Sequence, residues 1–281
     1  MSVYDQKPDR FLAKLQVSLG EGTEAYCAGF EMNEWRCSPF AFHLAEWLPE
    51  YALPEEELRI HHENLLMKLH QAAIRVYTSE KYKNRGEAGE IALHAICRDY
   101  FGTIPLSPRV FYKSSSNDVV KAFDMVHVRL IDNQKPEIWL GESKLYETAS
   151  KAVSDAIASV SQHLDAGFLT NQKVLLGPQI PKSTPRYEEI VALFNKNSSL
   201  DELIGNAVFV IGISCDSLAA LEAQTTDNAY LQKIRSELEY LWSRINNSGL
   251  NQRVRIRLIY TPLANKNSLV EAFDRRLKGL Q

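Results

Sequence analysis

Hydrophobic and polar positions alternate along two neighbouring segments near the middle of the chain, and this alternation predicts two β-strands. In residues 123–131, Asp124 shares one face with three aliphatic residues. In residues 136–144, Glu142 and Lys144 likewise share one face with aliphatic residues. The polar, proline-containing stretch between the segments indicates a turn, so we expect an antiparallel hairpin.

The hairpin brings acidic residues together if its loop closes symmetrically. Asp124 then lies opposite Lys144, and Val126 lies opposite Glu142. Asp124 and Glu142 become diagonal neighbours on one face, with backbones roughly 7–8 Å apart. A slip of one residue would send one set of side chains to the other face.

Similar patterns predict the remaining elements. A leading unit has strands over 11–19 and 24–30 and a helix over 40–47. Helical periodicity and capping signals predict helices over 54–77, 87–101, 149–168, 186–194 and 228–245, and a last helix starting from a capping box at Ser268. Residues 109–112 offer a short strand, and the continuously apolar residues 207–213 indicate a central strand covered on both faces.

Residues 253–260 alternate arginine with apolar residues, which predicts a strand with Arg253, Arg255 and Arg257 on one face. Two interpretations are open. The arginines could contact phosphates, or they could protect an exposed sheet edge from pairing with another chain.

Composition describes a globular protein, with 45% hydrophobic and 24% charged residues among 281. No apolar run approaches the ~18–20 residues of a membrane span, and the N-terminus lacks a secretory signal, so we expect a cytoplasmic protein without membrane contact. The four cysteines are scattered, which favours neither a zinc ribbon nor a disulfide framework. We expect an α/β fold, with an N-terminal α+β extension over 1–80 and a main domain over 81–281.

The hairpin carries the candidate chemistry, because charged side chains stand where the pattern predicts burial. Buried charges are costly unless they are paired or bind a metal. Asp124 and Glu142 are suitable ligands for Mg²⁺ or Mn²⁺, and Lys144 can orient or deprotonate a bound water or stabilise negative charge. The alternative is an ordinary ion-paired hairpin face, since the same acid-x-lysine spacing occurs at Asp5 and Lys7 in a polar segment.

Four motifs together resemble a known family. They are Arg-Gly-Glu-x-Gly-Glu at 85–90, Ser-Asn-Asp at 116–118, Ala-Phe-Asp-Met-Val-His at 122–127 and Trp-Leu-Gly-Glu-Ser-Lys at 139–144. The arrangement looks like the PD-(D/E)xK nuclease superfamily, whose restriction-endonuclease-like core is a mixed sheet flanked by helices. More narrowly, it resembles HamA, the effector subunit of Hachiman anti-phage systems. The chain departs from the superfamily pattern in having Ala-Phe, without proline, before the aspartate.

The resemblance implies a metal-dependent deoxyribonuclease in which Asp124, Glu142 and Glu90 bind the metal and Lys144 is the catalytic lysine. Glu87 lies on the same helical face as Glu90, and Gln162 falls near a helix position that supports the site in related nucleases. These two are possible supporting residues.

The resemblance also implies DNA as substrate and a HamB-like helicase as partner. A nuclease that binds DNA alone is expected to carry a basic surface, whereas this chain has a formal charge of −3. A partner that supplies most of the DNA contacts would account for this charge. Lys83, Arg85 and Lys113 are candidate phosphate contacts, although the segment 81–85 reads equally well as a solvated linker. Two other functions are open, a catalytically silent adaptor that binds the helicase and an RNA-directed nuclease.

Overall fold

The computed structural model describes Tyr4 and residues 6–77, 86–107 and 123–281. Its strands are β1 Ala13–Lys14, β2 Thr23–Cys27, β3 Phe30–Glu31, β4 Glu34–Trp35, β5 Ile104–Pro105, β6 Met125–Arg129, β7 Glu137–Tyr146, β8 Ala207–Asp216 and β9 Ile256–Leu263. Its α-helices are α1 Cys37–Glu46, α2 Leu48–Ala52, α3 Leu65–Tyr77, α4 Glu87–Phe101, α5 Ala149–His163, α6 Ala166–Leu176, α7 Tyr187–Phe194, α8 Leu200–Gly205, α9 Leu218–Glu222, α10 Asn228–Asn247 and α11 Lys266–Gly279. None of the helices in these ranges is both long enough and apolar enough to cross a membrane.

Seven strands form one mixed sheet in the order β1-β2-β9-β8-β7-β6-β5, and β3 and β4 form a separate hairpin. The strands β2, β9, β8 and β7 are parallel, whereas β6 runs antiparallel to β7. The α/β class is therefore confirmed. β8 lies in the interior of the sheet and is buried along nearly its whole length, which confirms the central strand predicted from its apolar run.

Helices cover both faces of the sheet, and alternate residues of β7 belong to different apolar cores. Leu140 packs in one core with Val160 of α5 and Leu238 of α10. Trp139 packs in the other core with Ile91 of α4 and Phe273 of α11. The result is a three-layer structure with β7 near its middle.

The predicted hairpin forms, but its register differs by two residues from the expected one. β6 pairs Met125 with Gly141 and Arg129 with Glu137. The loop turns about Asn133, which adopts a left-handed conformation with φ 59°, and so closes one position earlier than expected. Because the shift is even, each side chain keeps its predicted face.

Three glycines allow α4 to pack closely on the sheet. A Cβ atom on Gly89 would lie 3.0 Å from both Leu145 Cβ and Ser143 Oγ of β7. Leu93, one turn along α4, lies over Gly141 and Gly212, where added Cβ atoms would come within 3.2 and 3.0 Å of its side chain. Larger residues at these positions would force the helix away from the strands.

The N-terminal segment supplies two strands of the main sheet. β1 pairs antiparallel with β2, and β2 pairs in parallel with β9. Glu24 of β2 accepts a 2.5 Å hydrogen bond from Arg257 of β9. The proposed extension over 1–80 thus shares its sheet with the proposed main domain.

Two predicted helices have wrong boundaries because a side chain competes for backbone groups. Within 54–77, the structure has a short 3₁₀ turn at Glu55–Glu57 and then one α-helix, α3. Asn64 accepts from the His61 N–H and donates to the Arg59 carbonyl, which stabilises a loop before α3.

The helix predicted over 149–168 is two helices, α5 and α6, because Asp165 accepts from two N–H groups at the start of α6. α11 begins at Lys266 rather than Ser268, since Asn265 is its cap and accepts from the Ser268 N–H. The strand predicted from residue 253 begins at Ile256.

Candidate active site

Asp124 lies immediately before β6 and is fixed against β7 by two hydrogen bonds. Its backbone N–H donates to the Gly141 carbonyl over 2.9 Å, and its Oδ2 accepts from the Ser143 N–H over 2.9 Å. The observed register, continued by one residue, places Asp124 level with Glu142 rather than Lys144. The two carboxylates are therefore direct, not diagonal, neighbours.

Glu142 and Lys144 lie on the same face of β7 and form an ion pair, with Lys144 Nζ 2.5 Å from Glu142 Oε1. Glu142 is 6% exposed. Burial alone would lower the pKa of the Lys144 ammonium, but the charge and hydrogen bond of Glu142 and the charge of Asp124 together raise it. Lys144 therefore remains protonated at neutral pH.

α5 places His163 beside these residues. His163 is buried, and its Nδ1 lies 3.6 Å from Glu142 Oε2. Its ring stacks on Phe168 and meets Phe123 edge-on, with centroid distances of 4.5 Å in both cases. Gln162, the predicted supporting residue, is exposed. Helical periodicity was the available signal, because it places His163 on the same face of α5 as the buried residues Ala156 and Val160.

Glu90 and Glu87 stand in the first turn of α4. Glu90 Oε2 accepts a 2.5 Å hydrogen bond from the Tyr51 hydroxyl of α2. Tyr51 also lines a narrow cleft with Asp124 and Ser107, so it links Glu90 to the acidic end of the hairpin. Glu87 is buried. Nothing in the periodicity of α2 points to Tyr51, because the contact joins residues 39 positions apart.

A buried polar network lies beneath Tyr51. The Arg98 guanidinium of α4 donates to Glu50 of α2 and to the Thr103 carbonyl. His94 lies between Glu50 and His127, with Nδ1 3.1 Å from His127 Nε2. Burial raises the pKa of Glu50, but the hydrogen bonds and charges of His94 and Arg98 outweigh burial and hold it below its ordinary value.

Burial, reinforced by the charges of His94 and Arg98, holds the pKa of His127 well below its ordinary value. His127 is therefore neutral, and the network fixes α2 against α4. The helix that carries Glu90 is consequently held from beneath by buried polar contacts.

A family model for HamA matches residues 9–277. The chain belongs to the HamA family. HamA proteins are effectors of Hachiman defence systems, so this membership supports a defence-effector role. No curated protein and no solved structure matches the chain, and the PD-(D/E)xK core stays a prediction.

The carboxylates of this HamA chain offer ligands for a metal ion. Among the described residues, no group of three or more His, Cys, Asp or Glu side chains is arranged to hold a metal ion. Glu90 is thus not gathered with Asp124 and Glu142 into one such group. The pair Asp124 and Glu142 still fits Mg²⁺, because this ion is commonly held by one or two carboxylates together with waters and substrate phosphate.

The remaining predicted residues lie outside the part of the chain that the structure describes. They are Lys83, Arg85 and Lys113, proposed as phosphate contacts, and the short strand proposed over 109–112. Their roles stay predictions.

Proposed function

We propose that this HamA chain is a metal-dependent DNA nuclease that acts as a Hachiman effector with a helicase partner. The observation that supports it is the meeting of Asp124, Glu142 and Lys144 on one face of the hairpin. Two carboxylates beside one ammonium group suit a phosphodiester and a divalent cation better than they suit a purely structural strand face, which would usually be apolar here.

Asp124 and Glu142 would hold Mg²⁺ or Mn²⁺. When bound, such an ion lowers the pKa of a coordinated water and neutralises charge on the phosphate. The hydrogen bond from the Ser143 N–H orients the Asp124 carboxylate toward β7. His163, packed between two aromatic rings, limits the movement of the Glu142 side chain. Both carboxylates are therefore held in place before any ligand arrives.

Lys144 would supply positive charge beside the phosphate. Because Glu142 and Asp124 raise its pKa, it keeps its proton and can stabilise negative charge that develops on the phosphate. Release of Lys144 from Glu142 would accompany substrate binding.

Glu90 would act as a supporting carboxylate oriented by Tyr51. A Tyr51 hydroxyl that donates to Oε2 fixes the rotamer of Glu90. The formal charge of −3 suits a chain that depends on a HamB-like helicase for much of its grip on DNA.

A second candidate function, a silent adaptor for the helicase, is favoured by one observation. The Glu142 carboxylate is already paired with Lys144 at 2.5 Å. Such a closed ion pair would be sufficient to stabilise the hairpin without any chemistry.

The variant Glu142→Gln separates the two functions, since glutamine keeps the shape and can still accept from Lys144. For a nuclease, cleavage of DNA in Mg²⁺ should fall at least about 100-fold, and chelation of the metal should abolish it in the parent protein. Co-purification with the helicase should be unchanged. Lys196→Ala, an exposed lysine in a loop, is the control for a general loss of charge.

Parallel assays on DNA and RNA identify the substrate. Preferential RNA cleavage would replace DNA with RNA in the proposal. If the parent complex with its helicase cleaves neither nucleic acid, and Glu142→Gln retains full defence, the nuclease proposal is wrong and the adaptor function remains.

A further inference from the structure

A cavity of about 630 Å³ opens at the amino ends of β7, β8 and β9. Four arginines and two tryptophans contribute to its wall: Arg129, Arg253, Arg255, Arg257, Trp139 and Trp242. Its volume lies within the ~300–1,000 Å³ of typical small-molecule sites. Nothing in the proposed nuclease chemistry uses these residues.

The position of β9 decides between the two interpretations of its arginines. β9 lies between β2 and β8 and pairs with both. It is therefore not an edge strand, so Arg257, which lies in it, does not protect an exposed edge, and Arg253 and Arg255 precede its first residue, Ile256. Of the two interpretations, contact with an anion remains.

Positive charge exceeds negative charge in the cavity wall, where four arginines face two carboxylates, Glu21 and Glu137. Glu137 is shared by two arginines, with Arg255 Nη1 2.8 Å from its Oε1 and Arg129 Nη1 3.6 Å from its Oε2. Trp139 also donates to Glu137 over 3.3 Å. A single carboxylate thus fixes two guanidinium groups side by side but neutralises only one of them.

The other two arginines differ from each other. Arg257 is partly buried and bonded to Glu24, so its charge is balanced. Arg253 is exposed, and its side chain forms no hydrogen bond or ion pair with any residue in the described ranges. A guanidinium group offers planar, paired donors that suit a phosphate, and Arg253 is available to supply them.

The cavity is separate from the candidate active site. Glu142, the site residue of β7 nearest to the cavity, is five positions from Glu137, which corresponds to about 17 Å along a strand. The two side chains also point to opposite faces of the sheet, because five is an odd number. A ligand in the cavity would not contact Asp124 or Glu142.

We infer that this cavity binds the phosphate of a nucleotide, with the base against the partly exposed ring of Trp242. The uncompensated guanidinium groups supply the phosphate site, and the tryptophan supplies an aromatic surface on which any base can stack. The nucleotide could be free or could belong to a nucleic-acid strand, since both present the same chemistry. This site does not depend on the proposed nuclease activity.

Titration of the full chain with ATP, inorganic phosphate and a short oligothymidylate tests the inference, with tryptophan fluorescence as the readout. Binding of ATP or the oligonucleotide is expected, weakened by salt and displaced by millimolar phosphate. Arg253→Ala should weaken binding about 10-fold. Arg235→Ala removes an exposed arginine of α10 that pairs with Glu239, and it should leave binding unchanged.

The outcomes are distinct. Tighter binding of ATP identifies a free nucleotide, whereas tighter binding of oligothymidylate identifies a strand, and both support the site. Absence of binding by the parent protein at low salt, or equal affinity in Arg253→Ala and the parent with unchanged thermal unfolding, would overturn the inference.

Discussion

The two ends of β7 have opposite electrostatic character. Toward its carboxyl end, two carboxylates, Asp124 and Glu142, surround one ammonium group and are largely shielded from water. At its amino end, the guanidinium groups of Arg129 and Arg255 surround one carboxylate, Glu137, and stand half in solvent. The first environment favours a cation, and the second favours an anion.

One strand can carry both an acidic and a basic environment. Successive side chains of a strand point to opposite faces, so the acidic group faces α5 while the arginines lie on the face covered by α4. Glu142 lies five positions from Glu137, about 17 Å along the strand, which is about two Debye lengths at physiological salt. Each end can therefore be altered without a large electrostatic effect on the other.

Arg98→Ala should have the largest effect, and it should act through the scaffold of the acidic end. It leaves Glu50 buried without its guanidinium partner, which costs about 3–5 kcal/mol of unfolding free energy. Chemical denaturation measures the loss. Arg235→Ala, whose pair with Glu239 is exposed on both sides, should change stability by less than about 0.5 kcal/mol. Equal small losses in both variants would show that the buried network does not hold α2 and α4 together.

Asp124→Asn should remove the function of the acidic end and preserve its structure. Asparagine can still accept from the Ser143 N–H, but it lacks the charge that a divalent cation requires. Metal-dependent cleavage should fall at least about 100-fold, while nucleotide binding at the arginine end stays unchanged. Cleavage that persists in this variant would exclude Asp124 as a metal ligand.

Gly89→Ala should weaken the packing of α4 on the carboxyl half of β7. The new Cβ would lie 3.0 Å from Leu145 Cβ and Ser143 Oγ, and overpacking of this kind costs about 1–3 kcal/mol. Gly205→Ala is the matched control, because no atom lies within 4 Å of its added Cβ. Thermal unfolding of the two variants should separate them, and no difference would argue against close packing at Gly89.

Glu137→Gln should have the smallest effect and should sharpen the contrast between the ends. It removes the one carboxylate that Arg129 and Arg255 share, so phosphate should bind about 3-fold more tightly. The parallel fluorescence titration with inorganic phosphate measures the change. Weaker binding would mean that Glu137 is needed to orient the guanidinium groups more than it competes with the ligand.

The alternation of side chains made the acidic face predictable from sequence. The faces of Asp124, Glu142 and Lys144 depend only on the two-residue period of a strand. The predicted faces were therefore correct although the predicted register was wrong by two residues. The register itself depends on the left-handed conformation at Asn133, which the loop composition did not specify. The closer approach of Asp124 to Glu142 followed from that local detail.

Contacts between distant segments were not predictable in the same way. Tyr51 reaches Glu90 from another helix, and the arginine cavity depends on β9 becoming an interior strand. Periodicity describes one element at a time and does not tell which elements become neighbours. Asn64 and Asp165 form hydrogen bonds with nearby backbone groups and so interrupt helices that the apolar pattern alone predicts to be continuous.

The pairing of β2 with β9 has a consequence for how the chain is made. Residues 23–25 pair in parallel with residues 258–260, so β2 gains this neighbour only after the ribosome has synthesised the chain through residue 260. Such long-range pairing slows folding. Fragments that terminate before residue 256 would lack β9, the strand that joins β2 to β8, and could not assemble the sheet.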